Sequence, residues 1–87
     1  MTILPAPPRH RVNLKLAAEM GRRIYEEKYR QIYEPDQIGK FLDIDIESGL
    51  AGFGDNPREA RAAAKQIAPA GFFYLVRIGF SAPFELH

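Results

Sequence analysis

From Leu42 to Glu47 the chain alternates without a break, apolar then acidic. Successive side chains of a strand point to opposite faces, so Leu42, Ile44 and Ile46 share one face and Asp43, Asp45 and Glu47 the other. The pattern predicts a strand over 40–47 with its aliphatic side against a core and its carboxylates in solvent. Ser48-Gly49 reads as a tight turn, and 50–54, Leu-Ala-Gly-Phe-Gly, as a short return strand that two glycines confine to a sheet edge. Residues 72–80 are apolar on both faces, Phe72, Tyr74, Val76, Ile78 and Phe80 against Phe73, Leu75 and Arg77. A strand of that kind lies centrally or under cover on both sides.

Two stretches carry a helical period instead. Between Leu14 and Ile32, Leu16, Met20, Ile24, Tyr29 and Ile32 recur at helical spacing with Ala17 beside them, and charged residues fill the other side. Asn13 is the candidate N-cap and Pro35 the stop. Glu19 with Arg23 and Glu26 with Arg30 stand in the favourable i,i+4 order. Gly21 is the weak point, costing about 1 kcal/mol against alanine unless a close neighbour needs its space. The second helix begins at Asn56-Pro57, cap and first helical residue, with Glu59 placed to reach back. Its apolar stripe of Ala60, Ala63, Ala64 and Ile67 is slim enough to lie close on a sheet.

The order is a long helix followed by ββαβ, an α+β domain over 13–80. Three strands in the spatial order 50–54, 40–47, 72–80 follow from the hairpin and the helical crossover. The 57–67 helix is expected on the face of Leu42, Ile44, Ile46, Val76 and Ile78. A first helix of ~19 residues is ~28 Å long, more than the short edge strand needs, which predicts packing against a second copy. Residues 1–12, with Pro5, Pro7 and Pro8, predict a flexible, extended arm, and 81–87, with Pro83, an irregular tail.

At 87 residues the chain is one small domain, of a size that buries only about 60–65% of its unfolded surface. Twelve Lys and Arg against eleven Asp and Glu leave a net charge of +1, which argues against a protein that coats a polyanion. There is no cysteine, hence no disulfide, thiolate nucleophile or Cys-ligated metal, a composition that fits a cytoplasmic protein. No apolar run approaches the ~20 residues of a membrane span. Arg9, His10 and Arg11 follow the short apolar N-terminal part, the reverse of a secretory signal.

Asp43, Asp45 and Glu47 place three carboxylates in a row, about 6.5–7 Å apart. Crowded carboxylates bind Mg²⁺ or Ca²⁺, so a metal-dependent hydrolase is one reading. The spacing is wide for one ion and no glycine-punctuated Asp loop adds ligands; a solvated row paired with Arg77 and Lys40 is the plainer one. Gly52-Phe-Gly-Asp55 lacks the Lys-Ser/Thr of a P-loop and the third glycine of a dinucleotide fingerprint. His10 and His87 sit in the two ends, and Ser48 and Ser81 have no base beside them in sequence. The chain reads as non-enzymatic, with no cofactor. Tyr25, Tyr29 and Tyr33 recur every four residues. As a stacking stripe beside Arg9, His10, Arg11, Arg22, Arg23 and Arg30 they suit a nucleic-acid binder. As the border of a buried face, rings in and hydroxyls at the rim, they are structural.

The run Gly39-Lys-Phe-Leu-Asp-Ile-Asp-Ile-Glu-Ser-Gly49, then Asp55, the helix with Ala60 and the run Tyr74-Leu-Val-Arg-Ile-Gly79 resemble a group of small bacterial and cyanobacterial proteins. These are domains of unknown function with a ββαβ core. Ile24-Tyr25 fits the same pattern, so the resemblance covers about residues 20 to 80. Genes of that group stand beside aspartyl-protease-like or toxin-like genes, which implies an antitoxin-like or accessory role; the group assigns no functional residue. The expected function is a non-enzymatic protein-interaction module, a homodimer or the partner of another protein. Tyr25, Tyr29, Phe41, Phe73, Leu75 and Arg77 are its expected interaction surface, away from any membrane.

Overall fold

The computed structural model describes residues 13–80 and 84–87. The arm expected over 1–12, with Arg9, His10 and Arg11, and residues 81–83 of the expected tail lie outside the described residues. Asn13 caps the first helix, its side chain accepting from the Leu16 amide at 3.2 Å. The helix runs as α1 (Leu14–Ile24), a π turn (Tyr25–Tyr29) and α2 (Arg30–Tyr33). In the π turn the Arg30 amide reaches back five residues to the Tyr25 carbonyl. Residues four apart drift around a helix of 3.6 residues per turn. The longer turn offsets that drift, and Tyr25 and Tyr29 are both buried with Tyr33 half-buried beyond them.

The strands are β1 (Phe41–Asp45), β2 (Ala51–Gly54), β3 (Phe73–Arg77) and β4 (Glu85–Leu86). They form one sheet in the order β2-β1-β3-β4 with every neighbouring pair antiparallel. The α+β class and the central place of β1 are as expected. The sheet has a fourth strand where an irregular tail was expected: Tyr74 faces Leu86 and Leu75 faces Glu85. β1 also stops at Asp45, and residues 46–49 form the hairpin loop. Asp45 N donates to Leu50 O at 2.8 Å and Gly49 N to Asp45 O at 2.7 Å. Gly49 has φ +77, a conformation that costs glycine nothing.

A helix covers each face. The long helix lies on the aliphatic one, where Leu42, Ile44, Ile46, Tyr74, Val76 and Ile78 form a single core with Ala17, Tyr25 and Tyr29. α3 (Pro57–Ile67) lies on the other, which reverses the expected arrangement. The reason is register. Asp43 faces Gly52 and Phe41 faces Gly54, so both glycines of β2 stand on the acid-bearing face. A Cβ on Gly52 would lie 2.5 Å from Ala60 O, and one on Gly54 2.6 Å from Glu59 Cβ. Backbone meets backbone there, and a helix of small residues fits, with Ala60 and Ala64 buried. On the opposite face Phe53 projects from β2 and stacks on Tyr33, 5.1 Å between ring centroids, which suits an aromatic helix. Asn56 caps α3, accepting from the Glu59 amide at 2.9 Å, while Glu59 reaches back to the Asp55 amide at 3.1 Å.

On α1 the buried stripe is displaced from the expected one. Ala17 and Gly21 are its buried residues, while Leu16 is 52% and Met20 40% exposed. A Cβ on Gly21 would come 2.6 Å from Tyr74 Cβ. Tyr74 is the close neighbour that needs the glycine, and the helix sits low on the sheet because its contact residues are small.

Candidate functional site

With α3 on the acid-bearing face, two of the three carboxylates are enclosed rather than solvated. Asp43 is 0% and Asp45 5% exposed, while Glu47, in the loop, is exposed. Asp43 lies between Gly52 of β2 and Leu75 of β3, and its Oδ1 is 2.9 Å from His87 Nε2. His87 follows β4 and continues the ladder: its amide donates to Phe73 O at 3.0 Å and its carbonyl accepts from Phe73 N at 2.6 Å. Its ring packs on Phe73, 5.5 Å between centroids. Asp43 Oδ2 has no hydrogen-bond partner among the described residues. Burial raises the Asp43 carboxyl above its ordinary range, while His87 and Arg61 pull the other way. Arg61 of α3 is paired with Glu85 of β4.

Asp45 has a local role. Its Oδ2 accepts from Ser48 Oγ at 2.7 Å and from the Ser48 amide at 3.3 Å, which ties down the hairpin loop. The expected pairing of the acidic row with Arg77 and Lys40 does not form. Arg77 stands opposite Phe41 at the far end of β3, donates from Nε to Gly39 O at 3.2 Å, and lies 4.4 Å from the centroid of Phe80. Lys40 pairs with Asp55 at 3.3 Å. Among the described residues no three His, Cys, Asp or Glu side chains converge as a metal site. The strand geometry spreads Asp43, Asp45 and Glu47 and buries only two of them.

The six residues expected to share an interaction surface fall on opposite sides of the sheet. Tyr25 and Tyr29 belong to the long helix and pack on the aliphatic face; Phe41, Phe73, Leu75 and Arg77 lie on the α3 side. Tyr25, Tyr29, Phe73 and Leu75 are buried, so they make no common patch. The Tyr25 hydroxyl donates to Glu34 Oε2 at 2.8 Å and accepts from the Gly79 amide at 3.2 Å; burial pushes it up to about 12. The Tyr29 hydroxyl donates to Gly49 O. Both rings are core and both hydroxyls are rim. Arg22 pairs with Glu26 at 3.4 Å and Arg30 with Glu34 at 3.3 Å, so carboxylates interrupt the basic stripe a nucleic acid would need.

Among its charged residues the long helix also presents large apolar side chains to solvent. Leu16 and Met20 stand one turn apart on one flank of the Ala17–Gly21 contact. Leu14, 52% exposed, stands on the other flank, over an open groove lined also by Ala18, Tyr74, Phe84 and Leu86. Glu19 and Arg23 border the Leu16–Met20 strip on its outer side, and no ion pair among the described residues involves either. The signal for this arrangement is side-chain size: a helix that must lie low on Tyr74 turns its smallest residues inward and its leucines out. No family model, curated protein or solved structure matches the chain. Among the described residues no helix is long and apolar enough to cross a membrane.

Proposed function

We propose that the protein is an interaction module that pairs with a second copy of itself along α1. The observation that carries this reading is how α1 sits, with Ala17 and Gly21 inside and Leu14, Leu16 and Met20 outside. Fully burying a leucine or methionine side chain is worth about 1.5–3 kcal/mol. A copy running antiparallel about a two-fold axis presents the same strip, and each residue then serves in both roles. A two-fold axis crossing α1 between Leu16 and Met20 sets each of these residues against the other in the facing chain. Binding is favoured over catalysis because the described imidazole, His87, is turned inward onto Asp43. The antitoxin-like or accessory role is the alternative reading, in which another protein takes the strip.

Light scattering over a concentration series should find a dimer. Leu16→Glu together with Met20→Glu should give a monomer with unchanged helical circular dichroism, since neither side chain is in the core. A wild-type chain that stays monomeric throughout, or a dimer that tolerates both glutamates, would sink the proposal.

A further inference from the structure

β4 is two residues long, yet three separate contacts hold it. Phe73 and His87 exchange backbone hydrogen bonds, Arg61 pairs with Glu85, and the His87 ring meets Asp43. The last of these involves a carboxyl group that is wholly enclosed and has one oxygen unpartnered among the described residues. We propose that β4 is a latch over the β3 edge whose closure takes up a proton at the Asp43–His87 pair, so that raising the pH releases it.

The groups around Asp43 give the direction. His87 and Glu85 face it from β4, Arg61 faces it from α3, and Asp45 is its neighbour along β1. β2 and β3 offer Gly52 and Leu75, which carry no charge. Arg61 is shared with Glu85, so the partner left to Asp43 is the His87 ring, 2.9 Å from Oδ1. An ionised Asp43 beside a neutral ring is a buried charge with a vacant acceptor, and such a group is expensive to enclose. Lifting β4 removes His87 and Glu85 from above it and admits water to Oδ2. The ionised carboxylate therefore favours the open form and the protonated pair the closed one.

Burial already raises the Asp43 carboxyl above its ordinary value of 3.8, which has the required sign. A raised acid stabilises the closed form fully below the ordinary value, and that contribution is lost as pH rises through the raised one. Exchange of one proton changes the open-to-closed ratio by up to about tenfold per pH unit. Opening leaves the outward backbone groups of β3 unpaired, the condition under which a sheet accepts another strand.

Nuclear Overhauser contacts test this directly. As the pH is raised from below 3.8, the ordinary value of the carboxyl, into the alkaline range, the His87–Phe73 and Leu86–Tyr74 contacts of the wild-type chain should fade. The Leu42–Val76 contact in the core should persist. Asp43→Asn, which cannot ionise, should keep all three across the range. Asp43→Ala, at a position bordered by Gly52, is the second variant and should behave the same way. Contacts that hold steady in the wild type, or that fade as much in a folded Asp43 variant, overturn the latch.

Discussion

The two faces of the sheet are held by different means. Under the long helix the contact is made by side chains: rings of Tyr25, Tyr29 and Tyr74 against Leu42, Ile44, Val76 and Ile78. Under α3 it is made by backbone, with Gly52 and Gly54 against the turns around Ala60 and Ala64. Side chains can rotate to absorb an added atom, whereas two main chains in contact cannot. Polar groups follow the same division. On the aromatic face they sit at the rim, where the Tyr25 and Tyr29 hydroxyls find loop partners. On the α3 face the thin helix and the missing glycine side chains leave room for Asp43 and Asp45 inside. The first face is a hydrophobic contact between side chains; the second is close-fitted and encloses two carboxyl groups.

The sharpest way to break this comparison is one methyl group on each face. Gly52→Ala puts a Cβ 2.5 Å from Ala60 O, with the Ala64 amide nearer still. Nothing there can rotate away, so α3 must lift from the sheet, and the loss should reach about 3 kcal/mol in urea unfolding. A cost below about 1 kcal/mol would show that α3 is not held by backbone contact. Gly21→Ala brings its methyl 2.6 Å from Tyr74 Cβ, an atom fixed to the β3 backbone, so here the helix itself must shift on the sheet, against one side chain rather than a facing main chain. Overpacking at about 1–3 kcal/mol is partly offset by about 1 kcal/mol of helix propensity. A net loss of about 1 kcal/mol is expected, read from the same unfolding curves. If Gly21→Ala costs more than Gly52→Ala, the difference between the faces has the opposite sign to the one described.

Much of the fold is legible in the chain because it rests on local period. Leu42, Ile44 and Ile46 do share a buried face, Asn13 and Asn56 do cap helices, and β1 does lie in the middle. What local period cannot say is which helix covers which face. Acidic residues alternating with aliphatic ones suggest solvent, and Asp43 contradicts that only because its partner lies forty-four residues away, at His87. β4, two residues long, is too short to carry an alternation. Hydropathy misleads on α1 for a related reason. It marks Leu16 and Met20 as the inward stripe, while close approach to Tyr74 selects Ala17 and Gly21. The clue was present in Gly21 itself, a helix-weakening residue in the middle of an otherwise strong helix.

The smallest expected effect separates rim from core on the aromatic face. Tyr29→Phe keeps the ring in place and removes the hydroxyl that donates to Gly49 O. That carbonyl still accepts from Lys28 Nζ at 3.2 Å, and the loop around it is open to water, so no buried acceptor is orphaned. The cost should then be about 0.5 kcal/mol, below the full value of a hydrogen bond whose partner is stranded. Differential unfolding of the two chains measures it. A loss as large as that of Gly21→Ala would mean that the hydroxyl, rather than the rings, positions the helix over the hairpin loop. The aromatic face would then depend on polar contacts as much as the α3 face does.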